Sequence, residues 1–411
     1  MTPHLQHPRA IRSFENALAF NNFLIETEPS AKAFYDRGNL YEITRDYDQA
    51  ISDYSKAIEL DPAQADSYYD RGFAYAWLQD FEPAADDLTK ALALRPEWTP
   101  AYFLRANVYG FMGDHERAIA DLTTVIALKP AHANAYVCRG MIYESQGDHD
   151  AALADYDAAL AIDNTLASAY CGRGNCHREN GDYERALAEY SKAIERAPEA
   201  PTAYNNRGIV YDLIGDYDRS ISDYTISIGL DPNKSSTFNN RGYAYKLKGD
   251  VDRALPDYDK AIELDPNCAI AYINRGAAHY LNDRYDDAIA DFSKAAENAI
   301  SFDKHAVAYS NRADCWLMKG DAERAIADYG RAIALDPDNA ETYARRASVY
   351  ELNEDYTHAI VDYGRAIALM PQEREYYVSR GVIYLRKIRL LRALADFYRA
   401  FKLTSQPRLP G

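Results

Sequence analysis

An arginine returns every 34 residues through most of this chain: Arg37, Arg71, Arg105, Arg139, Arg173, Arg207, Arg241, Arg275, Arg312, Arg346 and Arg380, with one step of 37 between Arg275 and Arg312. A period of this size holds one small unit that cannot bury its apolar face alone, so the units must stack. The 411 residues would otherwise suggest two or three ordinary domains. The repeat replaces that expectation with one array of eleven linked units.

The unit carries further marks when Ala31 is taken as position 1. Position 4 is always aromatic, from Phe34, Tyr68 and Tyr102 to Tyr377. Position 8 is Gly or Ala throughout, as in Gly38, Gly72, Ala106 and Gly381. Position 20 is Ala in ten units and Ser220 in the other, and position 24 is Tyr, Phe or Leu. Position 27 is small or Val, and position 32 is Pro in eight units. Positions 4, 8 and 11 share one face of a first helix, and 20, 24 and 27 share one face of a second. Small residues let the two helices approach while aromatics fill the space around them. The turn between them often reads Gly-Asp, as in Gly113-Asp114 and Gly249-Asp250. Glycine suits the left-handed residue that ends a helix, and aspartate caps the next one. Proline at position 32 stops the second helix.

This pattern resembles the tetratricopeptide repeat family over residues 31–405, with Arg at position 7 where that family usually carries a leucine-like residue. The resemblance implies an all-α fold: a right-handed α-solenoid superhelix of about eleven helix pairs, with first helices on the concave face. Residues 11–27, with Phe14, Leu18, Phe20, Phe23 and Leu24, predict an N-terminal capping helix. The expected organisation is a tail and capping helix over 1–30, repeats 1–8 over 31–302, repeats 9–11 over 303–405 and a tail over 406–411. Three extra residues around Ala299–His305 predict altered stacking between repeats 8 and 9.

Charge narrows the partners. The formal net charge of −17 argues against nucleic acid, whose binding needs clustered Lys and Arg. Residues 374–411 carry nine Lys/Arg and two acids, a net +7, which leaves −24 for the rest. The last helix, with Leu390, Leu391, Leu394, Phe397 and Phe401 among those arginines, predicts an oligomer or a heterologous contact through this basic end. No segment approaches a bilayer-spanning length, and the first twenty residues lack an unbroken apolar stretch. Five cysteines without a CxxC pair fit reduced thiols. These readings together predict a cytoplasmic protein without membrane contact.

Each position-7 arginine has an acid sixteen residues later, from Arg37/Asp53 through Arg173/Glu189 to Arg380/Asp396. A planar guanidinium suits a carboxylate, so each pair is read as a clamp on its own hairpin rather than a binding group.

Position 6 differs. It is asparagine in four successive repeats: Asn206, Asn240, Asn274 and Asn311. An amide can donate to and accept from a peptide backbone at once. Neighbouring helices pack roughly 8–10 Å apart and an extended chain rises about 3.3 Å per residue, so one asparagine can hold every third residue. The arrangement is similar to the asparagine ladder of the O-linked N-acetylglucosamine transferase family, without its catalytic domain. Descent from one recently duplicated repeat would leave the same residues, and Asn205 and Asn239 beside them fit that account.

Repeats 1–3 place Tyr35, Tyr69 and Phe103 at position 5, with Phe73, Trp77 and Phe111 nearby and Asp36, Glu42, Asp66 and Asp70 among them. Aromatic faces beside carboxylates suit basic segments. Packing between repeats, or under the capping helix, is the competing account. No repeat has Lys or Arg at position 5, which disfavours the chaperone-tail clamp of some relatives. Cys138, Cys171, Cys176 and His177 lack the paired short spacings of a zinc site.

The chain is therefore read as non-enzymatic and without cofactor. The predicted function is a protein–protein interaction adaptor holding an extended partner segment through Asn206, Asn240, Asn274, Asn311, Tyr35, Tyr69, Phe103, Trp77, Asp36 and Asp70. A self-assembling scaffold and a regulatory subunit of a separate enzyme are the alternatives.

Overall fold

The computed structural model describes residues 8–298 and 301–404. Among them every regular element is an α-helix, from Pro8–Thr27 to Leu390–Thr404. Each repeat is an antiparallel pair such as Ala31–Thr44 with Tyr47–Leu60. The helices form two compact units, Met1–Glu199 and Ala200–Gly411. The first holds the N-terminal helix and repeats 1–5, and the second holds repeats 6–11. Each is an all-α solenoid of helix pairs. The three-residue insertion lies inside the second unit, where the first helix of repeat 9 runs Phe302–Met318, 17 residues against 13 in repeats 8 and 10.

The spacing of small and large residues explains the pairing. Ala50, Tyr54 and Ala57 are fully buried, as are Ala152, Tyr156 and Ala159. The position-24 ring lies on the backbone of position 8, so a Cβ at Gly38 would stand 2.6 Å from Cε1 of Tyr54. All eleven turns place position 15 in the left-handed region. Six use glycine, and the others hold Arg45, Gln79, Asp283, Glu354 and Ile388 at φ 54–62°. The following aspartate caps the second helix, as Asp114 accepts from the Arg117 amide at 3.1 Å.

The arginine pairs form in every repeat. Nε donates to the acid sixteen residues on at 2.6–3.0 Å, and the acids are buried. The guanidinium also does something the sequence reading did not include. In most repeats Nη1 reaches back to position 25 of the preceding repeat, as Arg71 does to Ser55 at 2.9 Å and Arg275 to Asp259 at 2.7 Å. Arg37 reaches Asn22 of the N-terminal helix at 2.8 Å. A leucine could fill the same volume but could not tie three elements together. In the N-terminal helix Pro8–Thr27, Phe20 and Phe23 are exposed.

Candidate functional site

The first helices of the second unit carry the asparagines on one face, and the structure links them across repeats. Asn205 Nδ2 donates to Asn206 Oδ1 at 3.2 Å. Asn240 Nδ2 donates to Asn205 Oδ1 at 3.2 Å, and Asn274 Nδ2 donates to Asn239 Oδ1 at 2.9 Å. A longer contact of 3.5 Å joins Asn239 to Asn240. Positions 5 and 6 thus alternate along one line of amides. Asn205 and Asn239 are buried, while Asn206, Asn240 and Asn274 are half-buried. Each of Asn240 and Asn274 uses one amide hydrogen in this line, and an asparagine has two. Asn311 stands beyond it and lines a hollow of about 150 Å³ with Ser310, Asn339 and Arg345. Arg345 is not available as a free cation there, because Asp314 accepts from it at 2.5 Å and so does Glu341.

Position 6 cannot hold an asparagine in repeat 5. The ring and hydroxyl of Tyr156 lie against Gly172, and any Cβ there would collide with them.

In the first unit, Tyr35, Tyr69 and Phe103 are half-buried and Trp77 is 55 % exposed. Tyr69 packs on Trp98 with centroids 4.6 Å apart, and Phe103 on His132 at 4.9 Å. Tyr69, Phe73, Phe103, Leu104 and His132 line an apolar hollow of about 380 Å³. Trp77 stacks on Tyr47 at 5.9 Å and meets Phe73 edge-on. The rings therefore pack between repeats on one side and leave open surface on the other.

The acids beside them divide by whether a cation answers them. Lys32 pairs with Asp36 at 3.0 Å, and Arg95 with Asp66 at 2.8 Å. Among the described residues Asp70 accepts only from the Tyr35 hydroxyl, at 2.7 Å, and burial pushes its pKa up to about 6. Glu42 accepts from Tyr54 at 2.9 Å and is raised for the same reason. Asp70 and Glu42 are thus carboxylates without an ion-pair partner among the described residues.

The cysteines are all free thiols. Burial pushes Cys171 up to about 11 and Cys176 up to about 12, so neither is a thiolate at neutral pH. No group of three or more His, Cys, Asp or Glu among the described residues could hold a metal ion. No described helix is long and apolar enough to cross a membrane.

Two features escaped the reading by repeat consensus. Position 13 exposes Leu213, Leu247, Leu281, Met318 and Leu352 in five successive repeats of the second unit. Position 12 carries Lys246 where repeats 1, 4, 6 and 10 carry an acid. Reading each position down the stack, instead of along the repeat, would have found both.

Comparison with known proteins bears on the family. No curated protein matches the chain. Among solved structures, yeast Tom70 is 20 % identical with a TM-score of 0.44, over 92 % of each chain. A tetratricopeptide repeat protein from Parabacteroides merdae is 21 % identical with a TM-score of 0.46, over 58 % of this chain and 93 % of that one. The APC/C hetero-tetramer Cut9–Hcn1 is 15 % identical with a TM-score of 0.46, over 97 % and 92 %. Models of the tetratricopeptide repeat match residues 31–64, 65–97, 99–132, 132–199, 171–235 and 235–268, and a TPR repeat model matches 318–354. The matches at 31–64, 65–97, 99–132 and 235–268 begin at the first position of the arginine period, the matches together cover most of the stack, and the chain belongs to the tetratricopeptide repeat family.

Proposed function

We propose that this protein is a non-enzymatic adaptor that holds extended segments of a partner on its first-helix faces. The observation that carries this reading is the line of amides from Asn206 to Asn274. It sets the asparagines in place before a ligand arrives, which lowers the ordering cost of binding. The amide hydrogens that remain can serve a peptide backbone whatever its side chains. In the first unit, the rings of Tyr35, Tyr69, Phe103 and Trp77 stand beside Asp70, whose charge no cation answers. That surface suits a Lys- or Arg-bearing segment, with Asp36 at its edge.

The test is a direct titration of a partner recovered from the native host. Asn206, Asn240, Asn274 and Asn311 changed together to Ala should lose at least about tenfold in affinity, the equivalent of one or two hydrogen bonds. Circular dichroism should show unchanged helicity. Full affinity in the quadruple variant would end the reading.

A second surface is the last helix. Leu390, Leu391, Leu394, Tyr398 and Phe401 are exposed along Leu390–Thr404, with Leu391 at 84 %. Arg389, Arg392 and Arg399 interleave with them. An apolar stripe edged by positive charge fits an acidic partner surface better than a symmetric copy of itself.

A further inference from the structure

In repeats 1, 4 and 6 a carboxylate at position 12 serves the tyrosine of its own repeat. The hydroxyl of Tyr54 donates to Glu42 at 2.9 Å, that of Tyr156 to Glu144 at 2.7 Å and that of Tyr224 to Asp212 at 2.8 Å. Repeat 7 places Lys246 there instead. Tyr258 keeps the same seat, since a Cβ at Gly242 would stand 2.9 Å from its Cε1. It is fully buried at 0 % exposure, and its hydroxyl has no hydrogen-bond partner among the described residues.

Lys246 is left without a partner of its own sign-opposite kind. Its Nζ lies over the Tyr243 ring, 4.6 Å from the centroid, and it meets no carboxylate among the described residues. Other cations of the first-helix faces are answered: Lys32 by Asp36, Arg178 by Glu179, Arg345 by Asp314 and Glu341. Burial also lowers the pKa of Lys246. In a chain of net charge −17, a half-buried lysine with no acid is a strong departure. A stranded hydroxyl and an unanswered ammonium both oppose stability, and local conflicts of this kind mark functional positions.

Position 12 lies on the same helix face as Asn239 and Tyr243, three and four residues apart in turn. The site therefore adjoins the line of amides. We propose that Lys246 seats the carboxylate of an Asp or Glu side chain in the extended segment held by Asn240 and Asn274. The ligand supplies the group that repeats 1, 4 and 6 carry themselves. Its oxygens accept from the Lys246 ammonium. This assignment rests on the backbone-holding reading of the second unit.

The experiment selects random dodecapeptides displayed on phage against the full-length chain, then titrates the best synthetic peptide by fluorescence anisotropy. Selected peptides should share an Asp or Glu at one place. Changing that acid to its amide should weaken binding roughly tenfold, and Lys246→Met should weaken the acidic peptide by the same factor while leaving the amide peptide unaffected. Lys246→Glu should reverse the choice toward Lys or Arg. It should also raise Tm, because Tyr258 regains an acceptor.

Peptides without a shared acid, or an acidic peptide indifferent to Lys246→Met, would overturn the assignment. Loss of binding on amidating the peptide terminus, with its side-chain acids dispensable, would replace the side chain by a chain-end carboxylate and equally overturn it. Asn240→Ala with Asn274→Ala separates the two readings: unchanged affinity there, with the Lys246 effect intact, would remove the amide line and keep the lysine site. A library that returns no binder would remove both.

Discussion

Asp70 shows what a single side chain can report. An aspartate in the unfolded chain titrates near 4. In the fold, burial beside Tyr35 keeps its proton on to about 6. Between those values the folded state binds more protons than the unfolded one, so stability falls as pH rises from about 4 to about 6 and stays lower above. Asp70→Asn keeps an acceptor for the Tyr35 hydroxyl and removes the buried charge. At pH 7.5 the variant should be more stable than wild type by about 1–3 kcal/mol, and the gap should close toward pH 4. Denaturant midpoints at both pH values check this; an equal or lower midpoint at pH 7.5 would mean that Asp70 is better solvated than its position indicates. The same residue was legible as a candidate from its place among aromatics. That it lacks a cation, while Asp36 and Asp66 have Lys32 and Arg95, was not, because those partners come from residues four and twenty-nine positions away.

Between elements, the arginine at position 7 acts as a three-way joint. Its fork closes its own hairpin, and its third donor reaches a hydroxyl or carboxylate at position 25 of the repeat before. Repeats 9 and 10 lack that group. Gly330 and Gly364 occupy position 25, with open space around a Cβ except for the Nη1 of Arg346 and Arg380, at 3.6 and 3.5 Å. Gly330→Ser should therefore stabilise the chain by about 1–2 kcal/mol, through a better helix former and one new hydrogen bond. Gly330→Ala isolates the first contribution. Thermal denaturation of the two variants should rank Ser above Ala above Gly; equality of Ser and Ala would show that the third donor contributes nothing. The hairpin half of this joint was readable from the sixteen-residue spacing. The stacking half was not, since nothing in one repeat says which neighbour its outward N–H groups meet.

For the molecule as a whole, the uneven charge and the exposed last helix point the same way. The apolar row from Leu390 to Phe401 stays open to solvent within the second unit. Light scattering across protein and salt concentration should show association, or a bound acidic partner, that weakens as salt screens the arginines. Leu391→Glu with Leu394→Glu should abolish it while leaving the helical signal intact. A monomer at every concentration, with no partner held at this end, would count against the surface.

The sequence by itself determined the helix pairs and their order, because a repeat states its core eleven times and small residues opposite large ones leave one way to pack each pair. It also marked Asn206, Asn240, Asn274 and Asn311 as a set. Tertiary structure alone decided how these residues are used. Asn205 and Asn239, which looked like neighbours by descent, join the line of amides because a position-5 oxygen faces the position-6 amide of the next repeat. Gly172 interrupts position 6 because the Tyr156 ring occupies its space. Lys246 is visible in the sequence as a cation at position 12, but only the structure shows Tyr258 buried beside it in the same repeat without an acceptor. The amide line and the Gly172 gap are contacts between successive repeats, where the outcome depends on which atoms of one repeat reach the next, and no periodicity within a repeat encodes that distance.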